Sequence, residues 1–273
     1  MCYSVLIENN LDKISWDFDA FIDESMFTKL ERLQTAQPKE YKIVDTSEPR
    51  IFPGYYAPIV FQAENERRIQ PMRYSAFPPS YLTDQQAKGL STFNARCDSL
   101  TKRFWSEAID ENHGIISIKS FYEWVSVRQL ITAGQVTLTE VEKNFQIAKE
   151  QRIKAWIAKG KKREQIQPTK SELKKAIDRE TIIFFNTPEF ESMNIPIIFS
   201  RDQSSGLGGF AIITEEPTKE IRAAGHDRMP IILQSNQINR WLTCPGKGLD
   251  YSLKILSHRL HPTFHHKLAE KVY

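Results

Sequence analysis

Position 2 carries the side chain with the widest chemical range in this 273-residue chain. Removal of Met1 would leave Cys2 with an α-amine and a thiol on adjacent carbons. An α-amine titrates near ~8, against ~10.4 for a lysine, so far more of it is free base at neutral pH. A thiol titrates near ~8.5 and attacks as the thiolate. Such a pair can close a five-membered ring on an aldehyde. It can equally attack an amide, one group serving as base for the other. Glu123 is the second residue of interest. It lies between Tyr122 and Trp124 in a stretch, 114–127, whose β-branched and aromatic content in near-alternation predicts a strand. A carboxylate inside a buried strand must be paired or functional. His226, in Gly225-His226-Asp227-Arg228-Met229-Pro230, can exchange protons, or can cap a helix or satisfy a loop carbonyl. Arg96, Arg103 and Arg228 can fork onto phosphate oxygens. Arg96 is also spaced for a structural salt bridge to Asp98 or Asp227, and Asn94 can serve a turn.

These residues need elements to hold them. Residues 3–7 predict a short strand directly after Cys2, which would anchor the chain's start in a sheet. Residues 10–34 predict one amphipathic helix, with Leu11, Ile14, Phe18, Phe21, Ile22, Leu30 and Leu33 on its core face. Residues 49–83 mix prolines with aromatics, so edge strands and ordered loops are expected, the best strands being 55–61 and 72–77. Residues 91–105 predict a strand or turn entering a helix capped by Asp98 or Ser99. A helical excursion is expected over 137–180. It has capping boxes at Thr139/Glu142 and Thr169/Glu172, and Gly160 ends its first helix. Short strands follow at 181–185, 195–199, 210–214 and 231–233, with helices at 218–224 and after a Ser235 cap.

Composition is that of an ordinary globular chain: 40% hydrophobic, 26% charged, 11% aromatic. No apolar run approaches the ~20 residues of a membrane span, and the start lacks a secretory pattern. Three scattered cysteines (Cys2, Cys97, Cys244) do not make a disulfide framework, so a reducing cytoplasm is expected. The net charge of +3 hides an asymmetry. Residues 143–179 hold twelve Lys/Arg against four Asp/Glu, a net of +8, and the remainder sums to 3 − 8 = −5. Such a basic segment suits a polyanion, with Lys161, Lys162 and Arg163 at its centre. The series His258, His261, His265, His266 has ligand-like spacing, but no cysteine is near it and no metal is expected.

Met1-Cys2, Phe93-Asn94-Ala95-Arg96, Phe121-Tyr122-Glu123-Trp124 and His226-Asp227-Arg228-Met229-Pro230 stand in an order and at separations that resemble the SOS response-associated peptidase (SRAP) family. Pro49-Arg50, Met72-Arg73-Tyr74 and Asn239-Arg240-Trp241-Leu242 are weaker supporting matches. The resemblance spans most of the chain outside 137–180. It implies one α+β domain over 1–273 with a mixed or antiparallel barrel-like sheet flanked by helices, the basic segment being an insertion. It further implies that Cys2, freed of Met1, meets the ring-opened aldehyde of an abasic site in single-stranded DNA and closes a thiazolidine. By the same match Asn94 would position Cys2, Glu123 would move the protons that open the sugar, and His226 would serve the Schiff-base steps or their reversal. Arg96 would hold a phosphate, with Arg50, Arg73, Arg103 and Arg228 further along the DNA and Tyr81 as a base-stacking wedge. Tyr3-Ser4 stands where most members have Gly-Arg, and the usual Pro-Val-Ser near the C-terminus is not evident. The expected partner is abasic single-stranded DNA, with no cofactor and no membrane, and the chain is read as a cytoplasmic monomer that joins the nucleoid when bound. Two rival readings are a thiol autopeptidase or N-terminal-nucleophile amide hydrolase, and a single-strand binder without chemistry.

Overall fold

The computed structural model describes residues 3–160, 174, 177, 180–202 and 205–268. Cys2, Lys161, Lys162, Arg163 and the Thr169/Glu172 box lie outside the described residues. The chain begins with β1 (Ser4–Ile7), as expected. The single helix expected over 10–34 is instead α1 (Leu11–Phe18), β2 (Ala20–Ile22) and α2 (Glu24–Ala36). Asp19 adopts a left-handed φ of 48° and its N–H turns back to the Ser15 and Trp16 carbonyls, which stops α1. Asn10 and Asp23 then supply two separate N-caps, each accepting a backbone N–H in the first turn. Apolar spacing survives the break, so periodicity alone could not reveal it. The exception is Phe21, which is 65% exposed rather than in the core.

Next come β3 (Lys42–Ile43), β4 (Arg50–Ile51), β5 (Tyr55–Ala63) and β6 (Glu66–Tyr74). The prolines do not confine β5 and β6 to a sheet edge. Pro58 faces Pro71 across the hairpin. On its other side β5 pairs with β3 at 55–56 and with β8 (His113–Ser126) at 60–61. On its other side β6 pairs with β2 at 67–69 and with β11 (Gly208–Glu215) at 72–74. Each proline falls in the gap between two pairings, where no ladder needs its missing N–H.

Between β6 and β8 lie α3 (Asp84–Ala87), β7 (Asn94–Arg96), a 3-10 turn at Cys97–Ser99 and α4 (Arg103–Glu111). The N-cap of α4 is Lys102, without a side-chain bond, because Asp98 is engaged by Arg96 and Ser99 instead. After β8 come α5 (Val127–Thr132) and α6 (Leu138–Ala158). The capping box of α6 is Thr137/Glu140, two residues before the expected pair, and it brings Val141 into the core. The rest of the chain supplies β9 (Glu180–Asn186), β10 (Met193–Arg201), β11, α7 (Lys219–Ala223), β12 (Met229–Pro230) and β13 (Ile232–Leu233). Then follow α8 (Ser235–Leu242), N-capped by Gln234 rather than Ser235, α9 (Leu249–Leu256), β14 (Arg259–Leu260) and β15 (His265–Leu268).

Five strands close on themselves in the order β8–β10–β11–β6–β5–β8, giving the expected barrel-like mixed sheet. Closure is made where Val60 meets Ile115 and Phe61 meets Gly114. A Cβ at Gly114 would lie 2.8 Å from Ile197 Cδ1 and 2.9 Å from Ile59 Cγ2, so only glycine allows the strands this close. Tyr74, Phe210, Phe61 and Phe199 pack within one core cluster, while α4, α8 and α9 cover a second around Trp241 and Ile109. β8 is long enough to serve twice. Residues 113–118 build the barrel, and 118–126 extend beyond it to pair with β1 and β9. That extension carries Glu123.

Candidate active site

Alternation along the end of β8 sends Tyr122 and Trp124 to one face and Glu123 to the other. Glu123 is 1% exposed, a placement that costs several kcal/mol for a carboxylate without a partner. Its Oε2 lies 3.1 Å from Nε2 of His226. His226 sits in the loop between α7 and β12, turned there by Gly225 with φ 90°. A Cβ on Gly225 would come 3.2 Å from the Gln129 Cβ, so the glycine serves both the turn and its packing. Nδ1 of His226 faces the Arg228 carbonyl at 2.9 Å and the Arg228 N–H at 3.2 Å, which suits either ring tautomer. A ring nitrogen and a carboxylate oxygen at this distance are within hydrogen-bond reach of one another.

β1 runs antiparallel to this stretch, Ser4 opposite Tyr122, so the start of the chain enters the sheet beside Glu123. Tyr3, the first described residue, packs edge-on to Trp124 with centroids 5.9 Å apart. Asn94 is buried on β7, opposite Ile212 of β11. Arg96 follows two residues later, exposed, and forks onto Asp98 with Nε to Oδ1 at 3.0 Å and Nη2 to Oδ2 at 2.6 Å. That bond holds the Asp98 carboxyl down at about 2. Arg228 is buried and donates from Nη1 to Glu216 Oε1 at 2.9 Å, and Glu216 Oε2 accepts from Arg222 at 3.1 Å. Asp98 also feels Arg228, and Arg96 feels Glu216 and Asp227. The two arginines thus belong to one charge cluster in which each guanidinium is held by a carboxylate. Glu216 was not singled out in the sequence, and a charge just after an apolar strand was its only signal.

The other candidate cations lie on different elements. Arg50 donates to Ser4 Oγ at 2.9 and 3.0 Å while its guanidinium lies 3.7 Å over the Tyr122 ring. Arg73 is 5.9 Å from the Phe77 ring, and Arg103 covers the Tyr81 ring at 4.2 Å, beside the proline-rich turn. The structure brings Glu123 to His226 and Arg96 to Arg228, and sets Arg103 with Tyr81 at a separate place.

Two further polar clusters went unread in the sequence. Glu215, at the end of β11, is buried against Arg259 and has His261 Nε2 3.4 Å away. Burial pushes its carboxyl up against the pull of Arg259 and His261. His113, buried at the start of β8, stacks on Trp241 and has Cys244 Sγ 2.9 Å from Nδ1 and the Ile109 carbonyl 2.6 Å from Nε2. Burial pushes the Cys244 thiol up, which suits a buried S–H donor rather than a nucleophile. The four tail histidines diverge: His258 lies against the Lys254 carbonyl, His261 against Glu215, and His266 against Gln135, while His265 stands exposed at the start of β15. Among the described residues no group of three or more His, Cys, Asp or Glu is placed to hold a metal ion, and no helix is long and apolar enough to cross a membrane.

A closed five-stranded barrel with a buried Glu–His pair at the extension of one strand defines the class. Residues 1–268 match the SOS response associated peptidase (SRAP) family, and the chain belongs to it. Membership associates it with the DNA-damage response. No curated protein matches the sequence. Among solved structures, a protein from Bordetella bronchiseptica superposes with a TM-score of 0.61 at 14% identity, covering 99% of this chain and 100% of its own. A protein from Bacteroides thetaiotaomicron gives 0.58 at 13% identity, covering 98% and 92%. A phage-related protein from Bordetella bronchiseptica gives 0.56 at 11% identity, covering 99% and 95%. At these identities the likeness is one of fold.

Proposed function

We propose that this protein captures abasic sites in single-stranded DNA through Cys2, acting as a cytoplasmic monomer without a cofactor. The observation that carries the reading is the buried Glu123–His226 contact on the strand beside which the chain's start runs. An abasic sugar is mostly closed hemiacetal. The pair removes the hydroxyl proton and returns one to the ring oxygen, exposing the aldehyde. The free Cys2 amine adds to the carbonyl carbon, and the adduct loses one water to give the imine. The thiol sulfur then adds to the imine carbon while its proton passes to nitrogen. One carbon has gained bonds to nitrogen and to sulfur, and one water has left. Asn94 positions Cys2. Arg96 and Arg228 exchange Asp98 and Glu216 for DNA phosphates. Arg50, Arg73 and Arg103, with Tyr81 as a stacking wedge and Lys161, Lys162 and Arg163 on the insertion, line the DNA path.

Intact-mass measurement after incubating Met1-processed protein with an abasic single-stranded oligonucleotide tests this. The expected product is protein plus oligonucleotide less one water, absent in Cys2→Ala. Protein that keeps Met1, or that forms no adduct, overturns the reading. The peptidase in the family's description supports the rival amide hydrolysis. Turnover of an amide without a DNA adduct would establish that instead.

A further inference from the structure

Arg50 of β4 is held from three sides at the point where the chain enters the sheet. Its Nε and Nη2 donate to Ser4 Oγ at 3.0 and 2.9 Å. Its guanidinium lies 3.7 Å over the Tyr122 ring and 5.0 Å over the Phe52 ring. Ser4 is fully buried on β1, which pairs with β4 on one side and β8 on the other. A guanidinium fork is suited to a carboxylate, which cancels its charge. Here both of these prongs meet one hydroxyl, and two rings cover the face. These contacts fix the direction of the cation without supplying a counter-charge.

The use of a fixed cation at this place lies two residues upstream. Two residues of chain span at most about 7 Å, so covalent geometry alone keeps the Cys2 amine near the guanidinium bonded to Ser4. A positive charge disfavours protonation of a neighbouring amine and so activates it as a nucleophile. Across about 10 Å, with an effective dielectric constant of roughly 20 to 80, the amine would titrate roughly 0.3 to 1 pH unit lower. Glu123 of β8 acts in the opposite sense, and its contact with His226 of the α7–β12 loop spends part of that charge. Tyr3 and Tyr122 supply phenols but no cation.

We propose that Arg50, aimed by Ser4 and Tyr122, is a positioning residue that keeps the Cys2 amine in its free-base form for addition to an aldehyde. This rests on Cys2 as the nucleophile of the reading above, and not on the DNA. The test uses the whole, Met1-processed chain and acetaldehyde, a neutral probe without phosphate. The amine adds to the carbonyl carbon and one water leaves. The thiol sulfur then adds to the imine carbon, its proton passes to nitrogen, and a thiazolidine closes. Intact mass follows the initial rate against pH, and the rate should rise as the amine loses its proton. In Arg50→Gln the midpoint of that rise should move up by about half a pH unit. That slows reaction at pH 7 by about threefold and leaves the high-pH plateau in place. Arg50→Lys keeps the charge and should stay close to wild type. Ser4→Ala keeps the charge but releases its aim, so its midpoint should fall between those of wild type and Arg50→Gln, and it decides the point if Arg50→Gln does not fold. An unchanged midpoint in Arg50→Gln or Ser4→Ala overturns the role of Arg50 alone, as does an Arg50→Lys midpoint displaced as far as that of Arg50→Gln. If the midpoint moves while abasic oligonucleotide forms no adduct, the DNA reading falls and the role of Arg50 stands. A wild type inert to acetaldehyde at every pH overturns both.

Discussion

Glu123 and His226 each have a plain structural use, since a buried carboxylate needs a partner and an imidazole supplies one. What favours chemistry is that a carboxylate and an imidazole meet beside the incoming chain start. Glu123→Gln keeps shape and burial but removes that proton acceptor. It is expected to slow adduct formation by about 10²-fold or more in single-turnover assays with abasic oligonucleotide. Wild-type rates in that variant would reduce the pair to packing. The arginines make a second case. Arg96 and Arg228 are legible as phosphate binders, yet each already holds a carboxylate. Asp98→Asn and Glu216→Gln should therefore tighten binding to oligothymidylate. The dependence of log affinity on log salt should keep its slope, because the same phosphate contacts form once the carboxylates have been exchanged. Titrations at several salt concentrations check both expectations.

At the scale of elements, closure of the barrel and docking of its helices are separate devices. Gly114→Ala forces a methyl into Ile197 and Ile59 at the β5–β8 seam, and about 1–3 kcal/mol should be lost in urea unfolding. The His113–Cys244 contact ties β8 to the turn after α8. Burial pushes the His113 imidazole below its usual value, with the Ile109 and Trp241 carbonyls pulling the other way. A base whose folded value is lowered takes its proton first in the unfolded chain. The stability it permits is thus whole above about pH 6.5 and shrinks as pH falls below that. Melting temperature should drop between about pH 7 and about pH 5, and His113→Gln should flatten that drop. The strands around Pro58 and Pro71 show where reading elements from sequence stops. Proline's cost depends on which neighbour needs its N–H, and that neighbour is chosen by the barrel.

For the whole molecule, charge is divided between an acidic body and the basic stretch 143–179. Replacing Lys161, Lys162 and Arg163 with glutamine should lower the salt dependence of oligothymidylate binding by about 2. An unchanged slope would remove the insertion from the DNA path. Sequence by itself determined the family and the strands β1, β5, β8, β9, β10, β11 and β13, and it named Cys2, Asn94, Arg96, Glu123 and His226 as candidates, because these rest on residue type and local alternation; β2, β3, β12, β14 and β15 were not legible in it. Only tertiary structure decided that Glu123 faces His226, that Arg96 and Arg228 hold carboxylates, that the proline-bearing strands are central, and that Tyr122 and Trp124 share a face with Phe184. The physical reason is common to all four. Ion pairs, ladder bonds and ring contacts form between segments far apart in the chain, and no local pattern records which segments the closed barrel brings together.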